Sequence, residues 1–422
     1  MSQPLVRQQM NGIPAPPGKV WFWELESAVI DAERCIQCGT CVAVCPSNSI
    51  GVDPGTGLPA LVRMCTGCSL CWDFCPRGGL RYEALWPPST PEGAEGEVAP
   101  TQVRPDSSDP YWKITGGPPG DGLGAVVERY AVRAAAPAEG AQDGGAVTAI
   151  LSALLVAGEI DGAVVAKPSD DPDEPWKGVP TIATTPAEVA AAAGSFYNQT
   201  MGLAALDLAG YRLPPKPRLV VVGTPCEIQG IRAMQARRWT TGAHRLDAVV
   251  LTVALMCTKS FDYEALILRE LRDRRRVDLD RVGRVDVVRG RMVVEYRDGE
   301  VAVDEPVKDF HGAALKGCDE CADFLGRGAD LSVGNVGSMD GWTSVLVRTE
   351  RGRAAFGRAR PRLDVRDLDD PEALLRLDRL DKRIALRSLQ RKLDPDAPLF
   401  IDYEEHVRNY ESTDRRPVVV LR

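Results

Sequence analysis

Histidine is scarce, basic charge is outnumbered, and no apolar run is long enough to cross a bilayer. Three histidines occur in 422 residues. His244, His311 and His406 share no paired motif, which argues against a histidine-built metal site or general base. Only His311, just ahead of a CxxC pair, merits a test as a functional residue. Fifty-one Lys and Arg against 59 Asp and Glu leave a net charge of −8, which disfavours nucleic acid as a partner. The longest apolar run, Ala248–Cys257, is about half of a membrane-spanning helix. The opening MSQPLVRQQMNGIPAPP has no apolar signal core, so the expected location is cytoplasmic. No clean G-x-G-x-x-G follows a strand, which argues against a Rossmann dinucleotide site. Nor does any cysteine sequence pattern suggest secreted disulfides.

What the chain does have is twelve cysteines in an ordered pattern. Eight form two copies of C-x2-C-x2-C-x3-C-P: Cys35, Cys38, Cys41, Cys45 with Pro46, and Cys65, Cys68, Cys71, Cys75 with Pro76. This is the run that wraps three thiolates around one iron–sulfur cube and sends the fourth to the other cube. The expected sets are therefore Cys35, Cys38, Cys41 and Cys75, and Cys65, Cys68, Cys71 and Cys45. Zinc sites favour isolated CxxC pairs rather than this repeat. Gly39 and Gly67 are expected to let the backbone approach the cluster sulfurs, and Trp72 and Asp73 to be packing or surface residues. Four cysteines remain: Cys226, Cys257, Cys318 and Cys321. Cys226 and Cys257 each follow an apolar strand, and that edge of an open α/β sheet binds ligands. CEIQGIRAMQ after Pro225 also reads as a helix start. Spacing alone leaves two readings open here: a third cluster, or two buried thiols beside a redox-active or zinc-binding CxxC.

The expected fold class is α/β (α+β overall), a small two-cluster ferredoxin-like domain followed by a larger mixed α/β domain. Residues 1–30 read as a Pro-rich arm pinned by Trp21, Phe22 and Trp23. Residues 31–84 are the ferredoxin-type module, 85–122 a Pro/Gly-rich linker, 123–365 the large domain and 366–422 a charged helical tail. In the large domain, strands are expected at 125–133, 163–166, 219–222, 248–255, 331–333 and 345–347, with a meander over 285–303. Helices are expected at 146–158, at 186–193 with Thr185 as N-cap and Pro186 at N1, and at 261–275. The charge runs at 268–276 and 377–391 read as solvated helix faces.

Several segments carry a family resemblance over about 121–352: Gln142-Asp-Gly-Gly145, Ile160-Asp-Gly-Ala-Val-Val165, Thr184-Thr-Pro-Ala-Glu188, Gly194-Ser-Phe-Tyr197, Val222-Gly-Thr-Pro-Cys-Glu-Ile-Gln-Gly230, Gly317-Cys-Asp-Glu-Cys-Ala-Asp-Phe324, Ala329-Asp-Leu-Ser-Val-Gly-Asn-Val-Gly-Ser338, Asp340-Gly-Trp342 and Val347-Arg-Thr-Glu-Arg-Gly352. In their order and content they resemble the family of coenzyme F-420 hydrogenase/dehydrogenase beta subunits. The N-terminal module resembles that of the F-420H2-oxidising input subunit of complex-I-like dehydrogenases, and of ferredoxin-dependent members that reduce chlorophyll intermediates. One departure is Phe196, where the family often carries lysine.

The resemblance implies FAD, a nearby [4Fe-4S] cluster held by Cys226, Cys257, Cys318 and Cys321, and coenzyme F-420 as substrate, for three [4Fe-4S] clusters in all. F-420H2 surrenders a hydride and a cubane takes one electron, so a flavin must stand between them. Gln142, Asp143, Gly144, Gly145 and Thr148 lie at a strand-to-helix junction suited to phosphate. Ser195, Tyr197 and Asn198 form a second polar group, and Asp340, Gly341, Trp342 and Thr343 a third that could border the flavin. The implied activity is that of an F-420-dependent oxidoreductase feeding one-electron acceptors. Two alternatives stand beside it: a ferredoxin- or hydrogenase-driven FAD reductase of F-420 or another organic substrate, and a non-catalytic electron-transfer subunit. The implied partner is a redox protein, a ferredoxin, hydrogenase or complex-I-like module, with no nucleic acid and no direct membrane insertion.

Overall fold

A computed structural model describes residues 18–80, 83–84, 123–124, 126–208, 210–236, 243–388 and 399–400. The first 17 residues of the arm, the 85–122 linker, and the end of the tail with His406 lie outside the described residues. The strands in chain order are β1 (Ile50–Val52), β2 (Pro59–Leu61), β3 (Glu83–Ala84), β4 (Glu128–Ala134), β5 (Gly162–Pro168), β6 (Gly178–Ala183), β7 (Leu219–Gly223), β8 (Val249–Leu255), β9 (Val282–Val288), β10 (Arg291–Tyr296), β11 (Val301–Pro306), β12 (Leu331–Gly334), β13 (Thr343–Val347), β14 (Leu363–Asp367) and β15 (Leu399–Phe400). Eight of them form one mixed sheet in the order β14-β4-β13-β12-β8-β7-β5-β6. Its centre, β12-β8-β7-β5, is parallel, and its flanks are antiparallel. Continuous Val/Leu runs such as LVVVG and VVLTVAL suit strands covered on both faces.

Two core clusters explain that coverage. One face packs against the helix Ala146–Val156 and the helix Glu350–Ala359 through Ile150, Leu151, Leu154 and Phe356. The other face packs against the helix Pro225–Ala236, and the same cluster takes in Val44, Leu70, Phe74 and Leu80 of the cysteine-rich module. The module thus shares its core with the large domain, rather than hanging from it by a linker. A second small cluster, with Phe22, Leu25, Val29 and Trp72, closes its outer side. Phe22 packs inside, whereas Trp21 and Trp23 are exposed and stacked at 4.9 Å. Trp72 and Asp73 are both buried, so packing is their role. The antiparallel meander β9-β10-β11 forms a separate sheet, with its own core around Leu266, Leu271, Met292 and Phe310.

Local chemistry sets most element ends. The Thr185 hydroxyl accepts from the Glu188 N–H at 3.2 Å, and Pro186 opens the helix Pro186–Ala191. The expected 261–275 helix begins only at Glu264 and is wound as a π-helix to Arg274. β6 and β14 were not foreseen. Both are edge strands, and β14 is too rich in charge to read as a strand.

The solvated-face reading of 377–391 needs correction over its described part. The helix Pro371–Ser388 buries Leu374, Leu375, Asp378, Asp381, Lys382 and Leu386. Asp378 accepts both guanidinium arms of Arg327 at 2.9 and 2.8 Å, and Lys382 stands 2.8 Å away. Paired charges can be buried where unpaired ones cannot. The 268–276 run is mixed: Arg272 and Arg274 face solvent, whereas Arg275 is largely buried, lying 4.0 Å over the Phe310 ring and pairing with Glu305 at 2.6 Å. Among the described residues no helix is long and apolar enough to cross a membrane.

Candidate functional site

The strand pairings put one set of loops on a single sheet edge. Carboxyl ends of β5, β7, β8 and β12 lie together because those strands are parallel. Antiparallel pairing places the end of β4 and the starts of β6 and β13 on the same edge. The loop Gln142–Gly145, the segment Gly178, Cys226, Cys257 and the turn Asp340–Thr343 follow or precede those ends. This is where open α/β sheets bind ligands.

The structure brings the cysteines into close neighbourhoods in the module and at the sheet edge. Burial is the main force raising the Cys41 thiol, followed by the charges of Cys35, Cys38 and Cys75, with Cys71 behind them. Cys71 is raised by burial and then by Cys68, Cys65 and Cys45. These are the two crossed sets expected from the repeat, and a cavity lined by Cys35, Cys38, Cys41 and Cys75 marks the first. Cys257 is raised by burial and then by Cys318 and Cys321, and Cys226 by burial, Cys38 and Cys321. Burial pushes Cys35 and Cys75 up to about 12 and Cys318 to about 11. Such thiols ionise only when a cation displaces the proton, as iron does. Among the described residues no three His, Cys, Asp or Glu converge on a point suited to a single ion; a cubane is wider and needs thiols around a volume.

Donors to sulfur are already in place. The N–H groups of Gln37, Gly67 and Arg77 each point at the cysteine two residues earlier, Cys35, Cys65 and Cys75, at 3.4 Å. The Ser49 N–H reaches Cys45 at 3.2 Å. Such bonds tune cluster potentials. The expected role of the two glycines changes. Gly39 (φ 75°) and Gly67 (φ 66°) are left-handed, but so are Gln37 (φ 50°) and Ser69 (φ 68°) at the equivalent places of the other copy. A Cβ on Gly39 would stand 2.9 Å from Met201 Cγ, and one on Gly67 2.8 Å from the Trp21 ring. Neighbouring segments, not sulfur, demand glycine there.

The third set is wrapped in hydroxyls that the sequence did not single out. Thr224 Oγ1 lies 3.1 Å from Cys226 Sγ, and the Ser260 N–H 3.5 Å from Cys318 Sγ. Gln199 joins these two: its amide donates to Thr224 Oγ1 at 3.2 Å, and its carbonyl accepts from Ser260 at 2.8 Å. Glu227 is buried and pushed up to about 7, yet it accepts from the Thr224 and Gly202 N–H groups at 2.8 Å. Deeper down, Arg232 donates to Gly328 O at 2.7 Å and Thr252 Oγ1 at 2.6 Å and pairs with Asp330 at 3.1 Å, locking the Pro225–Ala236 helix to β8 and β12. Cys226 and Cys257 are thereby held at a set separation. His311 is exposed, and its carbonyl accepts from the Ala314 N–H at 3.2 Å.

The flavin-directed residues divide. Gln142 donates to Val285 O at 2.9 Å, Asp143 (φ 49°) faces Arg284 at 4.0 Å, and Tyr197 donates to Asp286 at 2.8 Å while accepting from the Val287 N–H at 2.7 Å. Asp340 pairs with Arg289 at 3.1 Å. Gln142, Asp143, Tyr197 and Asp340 thus meet β9 and the turn after it through Val285, Arg284, Asp286 and Arg289, with the Asp340–Arg289 pair exposed. Burial, then the charge of Asp286, pushes Asp143 up to about 6. The β9 charges went unrecognised because RVDVV reads as ordinary strand; a buried Asp among valines was the available signal.

The others serve the scaffold. Thr343 Oγ1 accepts from the Gly144 N–H at 3.0 Å, where a Cβ on Gly144 would crowd Thr343 N at 2.8 Å. Asn198 clamps Gly178 through its N–H and C=O at 2.8 and 2.9 Å. Trp342 lies between the guanidinium groups of Arg133 and Arg366, at 5.0 and 4.0 Å. Gly145 is the N-cap of Ala146–Val156, and Thr148 lies in its first turn. Ser195 is half-buried and Gly341 exposed.

Family models match both the cysteine-rich module and the large domain. The beta subunit of coenzyme F420 hydrogenase/dehydrogenase matches in two parts, its N-terminal part over residues 129–207 and its C-terminal part over 217–371. A third model, "4Fe-4S dicluster domain", matches 28–81. The beta subunit of coenzyme F420 hydrogenase from Methanothermobacter thermautotrophicus is 34% identical over 52% of this chain and 75% of its own length. The chain belongs to the family of coenzyme F420 hydrogenase/dehydrogenase beta subunits. Its relatives in that family include an F(420)H(2) dehydrogenase subunit of Methanosarcina mazei, 28% identical over 83% of this chain and 88% of that protein. Coenzyme F420-dependent sulfite reductase of Methanocaldococcus jannaschii is 29% identical over 87% of this chain, but only 53% of that protein is covered. Among solved structures, a chain of the F420-reducing [NiFe] hydrogenase complex from Methanosarcina barkeri aligns with a TM-score of 0.57 at 28% identity, over 64% of this chain and 92% of that one. The family assignment and the dicluster domain make this chain an F420-related iron–sulfur oxidoreductase.

Proposed function

We propose that this chain passes electrons between reduced coenzyme F420 and one-electron acceptors, through FAD and three [4Fe-4S] clusters, as a cytoplasmic subunit serving a redox protein partner. The observation that carries the reading is the contact between Cys38 and Cys226. Together with Ile36 and Cys318 they form one apolar cluster across the boundary between module and large domain. A third four-thiol set on the sheet edge is thus joined to the first ferredoxin-type set, and that set adjoins the second. Bound FAD would supply the conversion between paired and single electrons. The residues suited to it are Gln142, Asp143, Tyr197 and Asp340 with the charged groups of β9 that they meet. The first-turn N–H groups after Gly145 favour a phosphate, while Gln142 and Thr343 hold the loop that presents them. Cys226, Cys257, Cys318 and Cys321 would ligate the third cluster, and the apolar seal of Ile36 keeps water out between the sets.

Anaerobic F420H2-driven dye reduction tests the proposal, together with an iron and flavin count per chain; twelve Cys in three sets call for about twelve iron. Cys318→Ala should leave flavin reduction by F420H2 intact and stop reduction of the ferredoxin-type clusters. Unchanged dye reduction in that variant would show that the third set is not part of the path. Phe196 favours a second reading, with flow reversed toward another organic substrate. Its side chain fills the space above Gly178, where a Cβ would stand 2.6 Å from Phe196 Cβ, and it offers no cation.

A further inference from the structure

The two halves of the cysteine repeat are not electrostatically equal. After Cys45-Pro46 comes Ser47, and after Cys75-Pro76 comes Arg77. Ser47 contributes a hydroxyl 3.7 Å from Cys45 Sγ, tied to Ser49 at 2.7 Å. Arg77 contributes a permanent charge, since a guanidinium stays protonated in proteins.

Its position is well defined. Arg77 is 1% exposed. Its Nε donates to Gly317 O at 2.6 Å and its Nη1 to Pro76 O at 2.9 Å. Its side chain lines the cavity of Cys35, Cys38, Cys41 and Cys75. Gly317 immediately precedes Cys318, so the guanidinium reaches from the first set to the third. The cavity that Arg77 lines includes none of Cys45, Cys65, Cys68 and Cys71. Other charges stand by the third set, among them buried Asp381 near Cys257. Glu227 opposes Arg77 beside Cys226 and Cys38, and Lys259, paired with Asp319, adds to it at Cys318.

We propose that Arg77 is a positioning residue for the electrons: a buried cation between the first and third four-cysteine sets that favours holding an electron there over the second set. A cluster gains one negative charge when it takes one electron, and a fixed positive charge in a low-dielectric interior stabilises that form. Electrons leaving the sheet edge are thereby gathered at the domain boundary before the outward step. The inference rests on the cofactor reading proposed above.

Potentiometric titration of the intact, cluster-loaded protein, followed by electron paramagnetic resonance, tests it. The second cluster is identified as the signal lost in Cys65→Ser. Arg77→Gln keeps an N–H for Gly317 O and removes the charge. It should lower two of the three midpoints by at least about tenfold in the reduction equilibrium, 59 mV for a one-electron couple, and leave the Cys65-dependent one in place. Arg77→Lys should restore most of the difference. Three signals with unmoved midpoints, or a uniform shift of all three, overturn the role of Arg77, as does a lysine variant no better than glutamine. Should Arg77→Gln fail to retain iron, the wild-type protein decides: the Cys65-dependent signal must have the lowest midpoint, and the proposal is refuted if it has the highest. Fewer than three signals in the wild type overturn the cofactor reading itself, and this role with it.

Discussion

Gly230→Ala is the most direct probe of how the module is joined to the large domain. Gly230 lies one helical turn after Cys226 and on the same face, in a helix whose surroundings are closed. Across the boundary is Thr40, fully buried and 3.3 Å from Cys38 Sγ through its hydroxyl. A Cβ on Gly230 would stand 3.0 Å from Thr40 Cγ2 and 3.1 Å from Thr40 Cβ, with Oγ1 nearer still. Carbon atoms pack at roughly 3.5–4.0 Å, and Oγ1 is the nearest atom, so Thr40 must retreat by about 1 Å or more, or swing its hydroxyl off Cys38, and carry the Cys38 loop with it. Overpacking of this kind costs about 1–3 kcal/mol. Helix propensity pulls the other way, since alanine exceeds glycine by about 1 kcal/mol. The net loss should be about 1 kcal/mol, with slower reduction of the ferredoxin-type clusters. The decisive measurement is a double-mutant cycle with Thr40→Ala, followed by anaerobic denaturant titration of cluster absorbance. Removing the threonine side chain should rescue the glycine variant, with a coupling of about 1–3 kcal/mol. If Gly230→Ala is more stable than wild type and its clusters reduce at the normal rate, helix propensity alone governs the site and the argument from close approach is wrong.

Two further outcomes follow from buried charge. Arg34 grips Glu320 with Nε and Nη2, both at 2.6 Å, bridging the residues next to Cys35 and Cys321. Arg34→Met should cost about 1–3 kcal/mol by stranding the carboxylate, Arg34→Lys should recover little of it because a single ammonium cannot form the fork, and denaturant midpoints measure both. Asp381 is buried, has an Oδ2 without a hydrogen bond, and is pushed up to about 8 by burial and then by Asp378. The folded protein therefore keeps that proton while the unfolded chain has lost it, and stability drains away as pH rises toward 8. Between about pH 6 and 8.5 the loss should be about 2 kcal/mol, and Asp381→Asn should flatten it; parallel slopes in the two proteins would show that Asp381 ionises normally.

The expectations that held and those that moved differ in a consistent way. The dicluster module was legible because the repeat's three-residue spacing is a local constraint, satisfied by a few turns of backbone. Val/Leu runs announced the central strands, and Thr185-Pro186 announced a helix start, for the same reason. The edge strand β14 was not legible, because LDVRD is charged and becomes a strand only by pairing with β4. The burial of Asp378, Asp381 and Lys382 depends on Arg327, about fifty residues away along the chain.

Sequence by itself therefore determined the family, the dicluster module and the apolar central strands, each written in short-range spacing and apolar patterning. Only the tertiary structure decided that Cys38 meets Cys226, that Arg77 lies between two sets of thiols, and that the module shares a core with the large domain. Those are contacts between segments more than a hundred residues apart in the chain, and they arise from shape and charge brought together by packing, for which no local pattern exists.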